Sequence, residues 1–257
     1  MHAVSIAGKP PTIGNPVVNA GGVSWSSDQK YSILRLVLFL FWFAVCVWDL
    51  FYAGEFYEID FYFIYYTNWT MWLLLVYLFL ALVHTGMVTF MEGSDGGEGK
   101  MQKINRIVCQ VLQPTVLVST LTVTLTFWSF GFYFDPVHAL NIIFAHGVNF
   151  AVALVDFLAL KDKMQLKTIG APVVYLLINF IFSAVYGLSG GINFYGDSGV
   201  YKEMDWKASP LKTFLLSILA LTATLVLFTP FYFLQQLWFK DDKHWYWRTH
   251  TLHTENL

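Results

Sequence analysis

Residues 61–91 read FYFIYYTNWTMWLLLVYLFLALVHTGMVTFM, 31 residues without an Asp, Glu, Lys or Arg. About 20 apolar residues at 1.5 Å per residue cross the hydrocarbon core of a bilayer, so this run is long enough to span a membrane. Working outward, the same test finds five more segments, at 31–53, 105–130, 136–160, 168–188 and 208–238. The whole chain is 56% hydrophobic and 19% aromatic with 12% charged residues, outside the balance of a soluble domain. The expected fold is all-α: a polytopic membrane protein of six transmembrane helices.

Positive loops near spans stay cytosolic. Twelve of the 15 basic residues fall in the N-terminal arm (Lys9, Lys30, Arg35), the second connection (Lys100, Lys103, Arg106), the fourth (Lys161, Lys163, Lys167) and the tail (Lys240, Lys243, Arg248). The alternate connections hold Lys202, Lys207 and Lys212, and the first of them is acidic, with Glu55, Glu58 and Asp60. Both termini are therefore expected in the cytosol of a plasma membrane or endoplasmic reticulum protein. This divides the chain into a flexible arm at 1–30, a membrane domain at 31–238 and an interfacial tail at 239–257.

The arm is rich in Gly, Pro, Ser and Asn and has no apolar core of the kind a signal peptide needs. The tail sets Trp245, Tyr246 and Trp247 beside Arg248, which suits the headgroup layer. His250 and His253 are spaced i,i+3 there, but two tail histidines do not make a metal site, and no metal or other cofactor is expected. Cys46 and Cys109 lie in or beside apolar segments and form no disulfide framework. The longest connection is 189–207, long enough to cover a cavity mouth. No repeat or inverted symmetry points to a secondary transporter, and nucleic acid is not an expected partner.

Polar residues inside spans turn inward and pair, because an unsatisfied polar group in lipid costs several kcal/mol. The fourth span, PVHALNIIFAHGVNFAVALVDF, carries most of them. At 100° per residue His138, Asn141, His146, Asn149 and Asp156 fall within an arc of about 140°, a stripe that must face other helices. Gly147, beside His146, leaves room for a neighbouring helix or ligand. The hydroxyls of the third span (Thr115, Ser119, Thr120, Thr122, Thr124, Thr126) and Asn179 in the fifth read as packing material. Asp49, near the outer end of the first span, would either accept hydrogen bonds from an inward partner or reach interfacial water.

In the second span Thr67 lies about six residues, roughly 9 Å, from the start of the apolar run, and His146 lies roughly 14 Å into the fourth. Both spans run outside to inside, so the two side chains are expected within about one turn of each other in depth. A threonine hydroxyl is inert until a base takes its proton, and an imidazole is such a base. Asn68-Trp69-Thr70 matches the glycosylation pattern, but Asn68 lies inside an apolar span and is not expected to carry sugar.

YYTNW at the head of the second span, NIIFAHGVNF in the fourth, and Tyr195, Gly196, Val200, Tyr201, Asp205 and Trp206 in the last outer loop resemble the rolling stone proteins. These are a branch of the androgen-induced membrane hydrolase superfamily. The resemblance covers residues 30–240 in the same six-span order. It implies an intramembrane threonine hydrolase that cleaves fatty acid esters of hydroxy fatty acids, with Thr67 as nucleophile and His146 as base. The characterised hydrolases follow their threonine with an aromatic residue, whereas Asn68 stands here, and Val148-Asn149 after Gly147 also depart from their pattern. The rolling stone branch itself is associated with myoblast fusion.

On this reading His146 deprotonates Thr67, which attacks a lipid ester in an apolar pocket open to the outer leaflet. Asn68 or Asn149 is the candidate oxyanion donor, and Asp49 the candidate carboxylate to orient the imidazole. The alternative is a non-enzymatic membrane protein acting in cell fusion or interaction, its polar stripe only tying helices together. Axial haem ligation is disfavoured because His84 lies at the opposite end from His138 and His146. A channel is disfavoured for want of charged rings.

Overall fold

The computed structural model describes residues 18–19, 22–23, 27–56, 59–91, 99–129, 138–159 and 164–241. The tail histidines His250 and His253, the aromatic tail and most of the N-terminal arm lie outside the described residues. Val18–Asn19 (β1) and Gly22–Val23 (β2) pair antiparallel. Everything else of regular structure is helical: α1 (Ser27–Phe56), α2 (Ile59–Tyr62), α3 (Tyr66–Met91), α4 (Lys100–Ser129), α5 (Ala139–Ile143), α6 (Asn149–Ala159), α7 (Gly170–Leu188) and α8 (Pro210–Asp241). A five-residue π turn at Phe144–Val148 and a four-residue 3₁₀ turn at Leu166–Ile169 complete the fourth and fifth spans. Six helices are long and apolar enough to cross a membrane.

α4 is the centre of the bundle, with 61% of its span buried against 17% for that of α8. It packs on α3, α6, α7 and α8, while α1 lies against α3 and α6. Trp42, Met71, Leu74, Leu78, Leu117, Val118, Phe157 and Phe228 interlock to form the core. Three α4 hydroxyls serve their own helix: Thr115 donates to the Val111 carbonyl at 2.8 Å, Thr120 to Val116 at 2.9 Å and Thr122 to Val118 at 2.8 Å. Large apolar side chains such as Phe51, Leu219 and Val226 stand exposed on the outer faces, where lipid in place of water makes them favourable.

Two features depart from the sequence reading. The apolar run 61–91 is broken: α2 ends at Tyr62 and α3 starts at Tyr66, so Thr67 sits in the first turn of its helix rather than about six residues in. Side chains from α3 reach back across the break, Asn68 Nδ2 donating to the Tyr62 carbonyl and Trp69 Nε1 to the Phe63 carbonyl, both at 2.6 Å. Arg35, counted among the cytosolic basic residues, is 3% exposed inside the bundle. Its Nε donates to Asp156 at 3.3 Å and its Nη1 to the Ala81 carbonyl at 2.9 Å.

The connection between α7 and α8 is folded on itself. Asn193 Oδ1 accepts the N–H groups of Tyr195 at 3.0 Å and Asp197 at 2.9 Å, and Ile192 bridges Ser198. Gly190, Gly196 and Gly199 take φ of 92°, 80° and 86°, a backbone region that side chains other than glycine enter at a cost. Asp205 Oδ1 accepts the N–H groups of Lys207 at 2.8 Å and Ala208 at 2.9 Å ahead of α8.

Candidate functional site

The polar stripe of the fourth span faces the first and second spans. His138 meets the Tyr52 hydroxyl, Asn141 Nδ2 donates to Asp49 Oδ1, and Asp156 takes Arg35 and the Tyr77 hydroxyl. Between these, Thr67 Oγ1 lies 3.4 Å from His146 Nε2. Both residues are half-buried at the edge of the core. His146 Nδ1 lies 3.1 Å from the Ile142 carbonyl oxygen, one turn back on its own helix. A carbonyl only accepts, so Nδ1 carries the proton and Nε2 presents its lone pair to the threonine hydroxyl.

The π turn sets the imidazole. A π turn takes one residue more than an α turn and lifts backbone groups out of the i,i−4 ladder. The Asn149 N–H accordingly bonds Phe144 O, five residues back. The Phe150 N–H goes instead to Asn149 Oδ1 at 2.6 Å, and the Trp128 indole donates to the His146 carbonyl at 3.0 Å. Phe127 stacks on the imidazole with ring centroids 3.8 Å apart and planes 20° from parallel. Position along α4 gives no sign of these two aromatic contacts, because Phe127 and Trp128 sit in an apolar run like any lipid-facing pair.

The helper candidates fall in different places. Asn68 Nδ2 is taken by the Tyr62 carbonyl. Asn149 is fully buried, and its Nδ2 has no hydrogen-bond partner among the described residues. Asp49 is 4% exposed and accepts Tyr62 Oη at 2.5 Å as well as Asn141. Its oxygens are thus engaged away from the imidazole, and the ring nitrogen that a carboxylate would orient is held by Ile142. Gly147 has nothing within 4 Å of where a Cβ would stand, so none of the described residues uses the room it leaves.

The last outer loop reaches the head of α3. Tyr201 Oη accepts the Tyr66 N–H at 3.0 Å, and the Phe194 N–H donates to the Tyr65 hydroxyl at 3.4 Å. Two open grooves flank the region. One of about 950 Å³ is lined by Leu50, Phe51, Gly54, Glu55, Phe56, Ile59 and Phe194. The other, of about 320 Å³, runs along Trp69, Trp72, Leu73 and Val76, which at 100° per residue are on the side of α3 away from Thr67. Neither groove is lined by Thr67 or His146. No group of three His, Cys, Asp or Glu among the described residues converges on a metal position.

No family model matches the chain, and no solved structure matches it. Among curated proteins, Protein rolling stone of Drosophila melanogaster is 25% identical over 199 residues, which cover 71% of this chain and 70% of that protein. By length and composition its six apolar spans are those of a multi-pass membrane protein, and the chain is similar to Protein rolling stone across most of both chains.

Proposed function

We propose that the protein is an intramembrane threonine hydrolase acting on lipid esters such as fatty acid esters of hydroxy fatty acids, with Thr67 as nucleophile and His146 as base. The observation that carries this is the 3.4 Å approach of Thr67 Oγ1 to a His146 Nε2 whose lone pair is free to accept. A nucleophile and a base at this separation before substrate arrives tighten to about 2.6–3.2 Å in the reacting complex.

His146 Nε2 takes the Thr67 proton as Oγ1 bonds to the ester carbonyl carbon. The tetrahedral adduct collapses, the alkoxide of the hydroxy acid leaves with the proton returned by Nε2, and Thr67 is left acylated. Water then attacks the acyl carbon with His146 again as base, freeing the carboxylic acid and restoring the threonine. The charge on the carbonyl oxygen develops beside the first turn of the 26-residue helix α3, whose N-terminal dipole favours an anion. Asn149, buried with an uncommitted Nδ2, suits the role of oxyanion donor better than Asn68, whose amide is engaged. Such a donor is worth about 3–4 kcal/mol. With both termini cytosolic, the pair lies in the outer half of the bilayer, and substrate enters from the outer leaflet.

The test is hydrolysis of a hydroxy fatty acid ester by purified protein and by Thr67→Ala and His146→Ala. Loss of turnover in both is expected. Undiminished turnover in either removes the pair, and the absence of turnover in the unaltered protein leaves the non-enzymatic reading, a role in cell fusion or interaction.

A further inference from the structure

We propose that Asp49 is the positioning residue of the Thr67–His146 pair, holding the threonine-bearing and histidine-bearing spans in register from a third helix. The inference rests on the reading of that pair as catalytic. Asp49 accepts two donors, one on each side. Tyr62 Oη comes from α2, and the carbonyl of the same Tyr62 accepts Asn68 Nδ2, the neighbour of Thr67. Asn141 Nδ2 comes from α5, and the next residue, Ile142, supplies the carbonyl that fixes His146 Nδ1. The contacts therefore close a circuit. It runs from Thr67 to His146, through Ile142 and Asn141 to Asp49, and through Tyr62 and Asn68 back to Thr67. Trp72 Nε1 donates to Tyr62 Oη at 3.3 Å and ties the same hydroxyl to the body of α3.

The chemistry of the junction calls for a carboxylate. Two donors arrive from opposite sides, and an ionised carboxylate accepts on both oxygens, whereas an amide accepts on one and meets the second donor with another donor. An acidic residue 4% exposed inside an apolar span is expensive unless its oxygens are paired, as both are here. Asp49 is not itself a catalytic residue, because its bonds go to Tyr62 and Asn141 and not to the imidazole. Its influence is on the separation of the reacting atoms, where a displacement of about 1 Å is worth on the order of a hundredfold in rate.

The test compares Asp49 with Asp49→Asn in two readouts. The first is cross-linking by a short bifunctional thiol reagent of cysteines placed at 67 and 146, with Cys46 and Cys109 replaced by Ala. A control pair replaces Phe39 and Phe79, whose rings pack 5.8 Å apart on the first and second spans. The second readout is hydrolysis. Asp49→Asn is expected to cut 67–146 cross-linking at least fivefold with the 39–79 pair within twofold of its original yield, and to lower kcat more than tenfold with KM within twofold. Tyr62→Phe, which removes one of the two donors, should shift both readouts in the same direction. Unchanged 67–146 cross-linking in Asp49→Asn overturns the proposal, and so does loss of the 39–79 cross-link in both variants, which would make Asp49 a general packing element. Cross-linking that depends on Asp49 in a protein without hydrolase activity supports the positioning role and refutes the catalytic reading instead.

Discussion

Tyr201, in the loop between the last two spans, accepts the backbone N–H of Tyr66 at the first residue of α3, one position before the candidate nucleophile. The first N–H groups of a helix have no partner within it, and here a phenol from 135 residues away supplies one. Desolvation pushes the Tyr201 hydroxyl well above the ordinary phenol range, so it stays neutral at physiological pH.

Tyr201→Phe keeps the ring and removes the acceptor. Leaving a buried donor unsatisfied costs about 1–3 kcal/mol. The expected result is a lower unfolding temperature in detergent and faster hydrogen exchange at the Tyr66 amide. Unchanged exchange at that amide would show the contact to be energetically idle.

Gly191 is held by a neighbour rather than by its own backbone angles. A Cβ there would stand 2.4 Å from the Tyr186 ring, whose hydroxyl donates to the Ile192 carbonyl at 2.7 Å. Gly191→Ala must displace that ring and its bond, at a cost of about 1–3 kcal/mol. Limited proteolysis of the 189–209 segment should accelerate in the variant, and Gly191→Ala combined with Tyr186→Ala should recover part of the loss.

Arg35 and Asp156 make a buried ion pair that joins the first and fourth spans. Removing one partner takes the opposite charge from the other, at about 3–5 kcal/mol. Asp156→Leu and Arg35→Met should each destabilise the detergent-solubilised protein by roughly that amount, and the double variant by much less, because both charges are then gone. Additive losses in the thermal unfolding of the three variants would contradict this.

The acid response of the loop follows from Asp205. The backbone N–H groups of Ala208 and Lys207 hold its carboxyl below the ordinary range. A group whose folded value is lowered contributes stability above the unfolded value of about 3.9, and that contribution is lost as pH falls through the folded value. Asp205→Asn should therefore be less stable than the unaltered protein at pH 7, and the gap should close below about pH 4. A gap independent of pH would assign the effect to something other than ionisation.

The six spans were legible because each is a long apolar run, and the fourth-span stripe was legible because polar groups in lipid must find partners. The orientation of those partners was not. Arg35 resembles a topology signal because a basic residue near the start of a span looks like one at the membrane surface, and Asp156, on a helix far along the chain, draws it inside together with the Ala81 carbonyl and Thr85. The break before Tyr66 was hidden within unbroken hydrophobicity, since side chains of Asn68 and Trp69 that look unremarkable in the sequence take up the carbonyls it exposes. Depth along the spans brings Thr67 and His146 to the same level, but it carries no information on Phe127 stacking on the imidazole or on the circuit through Asp49.

The π turn at Phe144–Val148 also acts as a phase setting along the fourth span. One extra residue rotates everything after it by about 100° relative to an unbroken α-helix. With it in place, Asn141 reaches Asp49 on one side of the turn while Asp156 reaches Arg35 on the other. Winding the same residues as α would dial one of these two anchors away from its partner, whereas deleting one residue removes the same 100° and leaves both in phase. The turn is thus the place where the span absorbs a one-residue change in length, at a loss of no more than about 1.5 Å in reach across the bilayer.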